Sequence, residues 1–399
     1  MIRRIFANNA IRTFVFVLML SILTVPVTAL WGGCGSGAAP SNTFAELLSL
    51  VPVGEAENDS ASYFTIIDNA AAYKDAGITF TAFDELTEKI RALPKDTLYT
   101  LPVEGSFITG YGKYAANTTI QKKYVGYDIG DVDAEIHFGI PPNEGVAAIG
   151  RYDPEATNKA LSNQDQWPAD IKDRYQTEKY KGVFLHSWGD GFKMNIRNKL
   201  MPPHLDDLGR TKPLAVTDKY LFYHPSLETV KQMIDSSLHQ GKTLMDLPQY
   251  AAIVNYLDRL DIYRMIIGQE TVTNNCITSI DKEFPGISES EKSRLIEKLG
   301  TPLKKFITFG SGYGKDEKGL FIVIVLYHEK SSVAQENVIL LKKHIEKDKS
   351  LGADTIWSEL FTEIDVKADD KILLAKLYRD SGSLSEWAVT QDNLLYHEE

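Results

Sequence analysis

Apolar positions recur along this chain at two spacings, and each spacing predicts a different element. At offsets of three and four, Leu227, Val230, Ile234 and Leu238 mark one face of a helix over residues 225–239, with Gly241 closing it. Ala334, Val338, Leu341 and Ile345 do the same over 331–347, and Ala251, Val254 and Leu257 over 247–260. Two helix starts carry side chains suited to the free backbone N–H groups of a first turn. Ser288 with Glu291 precedes a helix that Gly300 stops, and Thr81 with Asp84 opens one over 81–92, striped by Phe83, Leu86 and Ile90. Shorter helices are predicted over 43–50, 69–76 and 154–161, the last with Pro154 in its first turn.

Between these lie short runs of alternating or unbroken apolar character, which predict strands. They fall at 62–68, 133–139, 146–152, 181–188, 214–217, 220–224, 262–267, 272–280, 306–309, 320–327, 361–366 and 372–378. Turns are predicted at 141–145, 218–219 and 368–370, and the glycine-rich stretch 310–315 is expected as a mobile hairpin tip. Strand pairs alternating with single helices predict an α+β fold: antiparallel sheets with helices on one face, in two successive modules. The division is placed at residue 260, giving an N-terminal α+β domain over 44–260 and a C-terminal one over 261–399. Phe107-Ile108-Thr109-Gly110-Tyr111-Gly112-Lys113 echoes Phe306-Ile307-Thr308 with Gly312-Tyr313-Gly314-Lys315, which a duplication or a shared strand-and-turn pattern would explain equally.

The first forty residues follow another logic. Arg3, Arg4 and Arg12 precede a largely apolar run from Phe14 to Leu30, the pattern of a secretory signal. Val27-Thr28-Ala29 suits ordinary signal cleavage, while Gly32-Gly33-Cys34 resembles the lipobox of bacterial lipoproteins, with Trp31 where an aliphatic residue is usual. The lipobox reading is preferred because a small, flexible stretch follows, from Gly35 to Ser41. Residues 1–33 are then a signal peptide, Cys34 the lipidation site and 34–43 a tether. The expected location is outside the cell membrane, anchored to its outer face through that lipid. No later run reaches the eighteen apolar residues of a membrane span.

Composition narrows the partners. The 399 residues are 43% hydrophobic and 24% charged, ordinary for a globular chain of about two domains. Loss of residues 1–33, with three Arg and no acid, leaves 366 residues and takes the formal charge from −11 to −14. Such a chain is repelled by phosphate backbones, so nucleic acid is excluded as a partner. With Cys34 lipidated, Cys276 has no intramolecular partner and is expected as a buried small apolar residue.

Candidate chemistry is sparse. Gly310-Ser311-Gly312-Tyr313-Gly314-Lys315 lacks the spacing of a phosphate loop, and Asp316 follows where Ser or Thr should stand. Asp128, Asp131, Asp133 and Glu135 could offer oxygen ligands to calcium, but Asp133 and Glu135 alternate with Ala134 and Ile136, which predicts a solvated strand face. His186, His204, Asp206 and His224 are the best enzyme candidates, Asp207 standing beside them, yet no zinc or triad spacing selects them. Metal and cofactor are accordingly expected to be absent, and no catalytic residue is assigned. Asn58-Asp59-Ser60 and Asn117-Thr118-Thr119 fit the glycosylation triplet, a pattern frequent by chance.

Several strings in succession resemble a family. Gly150-Arg151-Tyr152-Asp153-Pro154-Glu155, Tyr180-Lys181-Gly182-Val183 and Val216-Thr217-Asp218-Lys219-Tyr220-Leu221 are followed by the 225–239 helix and by Gly241-Lys242-Thr243-Leu244-Met245-Asp246-Leu247-Pro248. Over 127–260 this order resembles a loose family of uncharacterised exported bacterial proteins, many of them lipoproteins. The resemblance implies an extracytoplasmic α+β domain and brings no activity, cofactor or site residue. The expectation is a non-enzymatic binding or accessory lipoprotein for an unknown protein or small molecule. An anchored hydrolase and a self-assembling scaffold are the alternatives.

Overall fold

The computed structural model describes residues 43–57, 63–78, 118–139, 143–195, 197–202, 205, 209–269, 286–379 and 392–397. In chain order the elements are α1 (Thr43–Leu48), β1 (Tyr63–Asp68), α2 (Asn69–Asp75), α3 (Thr118–Val125), β2 (Val132–Phe138), β3 (Gly145–Gly150), α4 (Pro154–Ser162), β4 (Gln176–Tyr180) and β5 (Val183–Ser187). Then come β6 (Leu214–Val216), β7 (Tyr220–Tyr223), α5 (Leu227–Ser237), α6 (Pro248–Leu257), β8 (Ile262–Gln269) and α7 (Glu289–Leu299). The last are β9 (Thr308–Asp316), β10 (Gly319–Tyr327), α8 (Ser331–Lys347), β11 (Glu363–Asp369) and β12 (Ile372–Arg379). Single helical turns lie at Gly54–Glu57 and Ala169–Lys172.

Local chemistry accounts for the helix ends. Ser226 accepts from Thr229 N at the start of α5, Asp153 from Ala156 N at α4, and Ser288 with Glu291 forms the expected capping box at α7. The twelve strands among the described residues join one antiparallel sheet, in the order β11-β12-β10-β9-β8-β1-β2-β3-β7-β6-β5-β4. The chain is α+β, as its pattern predicts. The ladder is continuous across residue 260, because β1 pairs with both β2 and β8.

Helices cover both faces, where the sequence reading expected one. The reason is visible in β10. Phe321, Val323 and Val325 face one side and Ile322, Ile324 and Leu326 the other, all buried. A strand apolar on both faces must be covered on both. On the first side α1, α5 and α6 contribute Leu47, Val230, Ile234, Ile253 and Leu257. On the second side α2, α4 and α8 contribute Tyr73, Leu161, Leu341 and Ile345.

The glycine-rich stretch is not a hairpin tip. Gly310, Ser311, Gly312, Tyr313 and Gly314 are buried within β9, and the two-residue turn is Glu317-Lys318. The glycines sit at alternate positions, so they form one row on one face of β9. A Cβ on Gly310 would lie 2.5 Å from Ile253 Cγ2, and one on Gly314 would lie 2.1 Å from the Asp261 carbonyl oxygen. Gly310 thus makes room for α6, and Gly312 and Gly314 for the start of β8. Strand β4 carries no apolar alternation and escaped the sequence reading. Its residues Gln176, Thr177, Glu178 and Lys179 are exposed at the sheet edge, joined to β5 through Lys181 and Gly182, both at positive φ. The predicted helix over 81–92, the strand over 272–280, the echo at 107–113, Cys276 and the asparagines of both glycosylation triplets lie outside the described residues.

Candidate functional site

Antiparallel register assigns every connection to one of two ends of the sheet. Asp68 pairs with Ala134, Val132 with Gly150, and Ile149 with Tyr220 at one end. Phe64 pairs with Phe138, Val146 with Tyr223, and Leu214 with His186 towards the other. The first end holds the start of α1. There Thr43 hydrogen-bonds the Asp68 side chain, and the Asp258 carboxylate accepts from the backbones of Ala45 and Phe44. Burial lifts Asp258 to about 6, only partly offset by those bonds.

The second end carries a 26-residue connection, 188–213, between β5 and β6. Its described residues hold no helix or named strand, and connections of this length are uncommon in compact folds, many of them functional. Buried residues pin this one. Trp188, Met201 and Leu205 enter the core. The Thr211 hydroxyl donates to Gly191 O and accepts from Lys193 N, and an isolated bridge joins Met194 to Arg210. Asp190 accepts from Leu227 N, tying the connection to α5. It holds five Lys or Arg (193, 197, 199, 210, 212) and three Asp (190, 206, 207), a local excess of two positive charges in an acidic chain.

Two of those cations turn inward. Arg210 Nη1 lies 2.9 Å and Lys212 Nζ 3.8 Å from Glu144 Oε2, and the Lys212 side chain is only 3% exposed. Lys212 Nζ also stands 4.6 Å from the centre of the Tyr223 ring, a cation–π contact. Beside them is His224. Its ring stacks on Phe138 at 5.8 Å, and a Cβ on Gly145, next to Glu144, would lie 2.6 Å from its Cδ2. His224 Nδ1 accepts from Ser226 N at 2.9 Å, so the neutral ring carries its proton on Nε2. That Nε2 is buried and has no hydrogen-bond partner. Burial pushes His224 down to about 4, with a further contribution from Lys212.

The sequence candidates separate. His186 faces the opposite side of the sheet, bonded through Nδ1 to the Tyr175 hydroxyl and held down at about 4 by burial. It does not converge with His224. His204, Asp206, Asp207 and Cys34 lie outside the described residues. The acidic run is not a solvated strand face. A β-bulge between Val132 and Ala134 breaks the alternation at Asp133, which is half-buried, and Glu135 lies on a covered face, 1% exposed and 3.4 Å from His137 Nε2. Alternation misleads there because helices cover both faces. Asp128 and Asp131 bind Lys122, and Asp133 binds Arg151. Among the described residues no three His, Cys, Asp or Glu are placed to hold a metal ion. Glu144, Arg210 and Lys212 were missed by the sequence reading. The available signal was the length and basic charge of 188–213.

No family model matches the chain, and no curated protein does. Among solved structures it is similar to crystal forms I, III and IV of TP0453, a Treponema lipoprotein, at 7, 8 and 7% identity. Each superposes with a TM-score of 0.36, covering 86, 86 and 83% of this chain and 94, 95 and 92% of those. A likeness of that strength carries no argument about function.

Proposed function

We propose that this is an exported, lipid-anchored binding protein that presents the 188–213 end of its sheet away from the membrane. The observation carrying this reading is the register. It sets the start of α1 and the long pinned connection at opposite ends of the same strands. Cys34 precedes Thr43 by nine residues, a reach of at most about 30 Å. A lipid at Cys34 would hold the Asp68 end near the bilayer and leave the other end free to meet a ligand.

The charged sheet edges favour binding over self-assembly. β4 offers Glu178 and Lys179, and β11 offers Glu363, Asp365, Lys367 and Asp369, devices that discourage edge-to-edge pairing. The test is metabolic labelling with a fatty acid, together with detergent partitioning. The wild-type chain is expected to take label and enter the detergent phase, and Cys34→Ser to do neither. Equal labelling of the two would overturn the anchor.

A further inference from the structure

We infer that the cluster formed by Arg210, Lys212 and His224 around Glu144 is an anion-binding site, made to take a carboxylate or phosphate group. It rests on the binding reading above and not on the anchor, so a negative result at Cys34 leaves it standing.

Three donors of different kinds are built into one place. Arg210 brings a planar guanidinium, suited to two-point contact with either group. Lys212 brings a compact charge held against the Tyr223 ring. His224 brings an Nε2–H whose direction is fixed, because Nδ1 is committed to Ser226 N and the ring is clamped on Phe138. A buried donor with no acceptor costs free energy. An anionic oxygen would satisfy it. Glu144 shows that a carboxylate already suits this environment, since one of its oxygens approaches both cations. The bound anion therefore competes with, or sits beside, an internal carboxylate. The basic excess of 188–213 would draw such a ligand to this end of an otherwise acidic molecule.

The experiment is a titration of the full chain in detergent, with ¹⁵N-labelled histidine, against inorganic phosphate and against acetate at fixed ionic strength. The His224 Nε2 resonance is expected to move saturably with at least one of them, half-maximal in the millimolar range; whichever probe acts identifies the group. Arg210→Gln should raise the midpoint about tenfold. Glu144→Gln should lower it about tenfold, since it removes the internal competitor. A purely structural cluster gives no such opposite pair. The wild-type titration needs no variant, so a poorly folding Arg210→Gln chain does not spare the proposal. No saturable shift with either probe, or an equal shift with chloride, overturns it. So would a Glu144→Gln chain that folds and binds no more tightly.

Discussion

A neutral imidazole buried among rings resists protonation, and this molecule holds several. His186 and His224 are both pushed down to about 4 by burial, and burial also lowers His328 and His344. The unfolded chain takes up these protons near 6.5. A depressed folded value means stability present above 6.5 and lost as the pH falls towards 4. Between pH 7 and 5, His186 and His224 should each remove about 2 kcal/mol. Asp258 works the other way. Its carboxyl is raised to about 6, so its contribution is present in acid and lost as the pH rises through 6. Being partly exposed, it offsets less than one histidine. Urea unfolding at pH 7 and pH 5 is expected to show a net loss on acidification. His186→Phe, which keeps an aromatic body beside Tyr175 and Trp188, should flatten the slope by about one proton. An unchanged slope would mean that His186 does not stay neutral in the folded chain.

Elements differ in how much of their making is local. α5 was readable from its three-four apolar stripe and α7 from its capping box and closing glycine, signals that lie within one stretch of chain. β10 was readable because an unbroken apolar run has few alternatives to a buried strand. β9 was not, because glycine's usual meaning is a turn. Here the missing side chains serve partners distant in the chain, α6 at Gly310 and the start of β8 at Gly312 and Gly314. β4 was hidden because an edge strand needs no apolar face, and Glu135 misled because alternation does not reveal which face is covered. The candidate site was least legible of all, since Glu144 and Arg210 meet across 66 positions. The glycine row makes a sharp prediction. Gly314→Ala drives a methyl group against the Asp261 carbonyl and should destabilise by about 1–3 kcal/mol. Gly54→Ala, with nothing within 4 Å of its added carbon, should be neutral or slightly stabilising. Thermal melts of the two variants separate these outcomes, and a neutral Gly314→Ala would remove the close-packing account of β9.

For the whole molecule, charge and topology combine into an orientation. The processed chain would carry −14, yet the 188–213 connection is locally positive. The first end of the strands carries Glu46, Asp68, Asp131, Asp133, Asp218 and Asp258 against Lys122, Arg151 and Lys219, an acidic excess that an anionic bilayer repels. A lipid at Cys34 would hold that end close in spite of the repulsion, through a tether with a root-mean-square span of about 17 Å. The strands then stand between bilayer and connection, adding about 20 Å for β2. In a Cys276→Ala background that retains Cys34, fluorophores on Asp218→Cys and Met194→Cys sample the two ends, both positions being exposed. Vesicles carrying a headgroup quencher should quench the probe at 218 strongly and the probe at 194 weakly. Cutting the tether with a protease should abolish the difference. Equal quenching would mean that the domain lies on its side, with strands parallel to the bilayer. Stronger quenching at 194 would turn the basic end towards the membrane, against the orientation proposed from the register. Electrostatics makes the expected order sensitive to salt. Raising ionic strength from 0.01 to 0.1 M shortens the screening length from about 30 to about 10 Å. The acidic end should then settle nearer the bilayer and quenching at 218 should rise, while the weak quenching at 194 should change little.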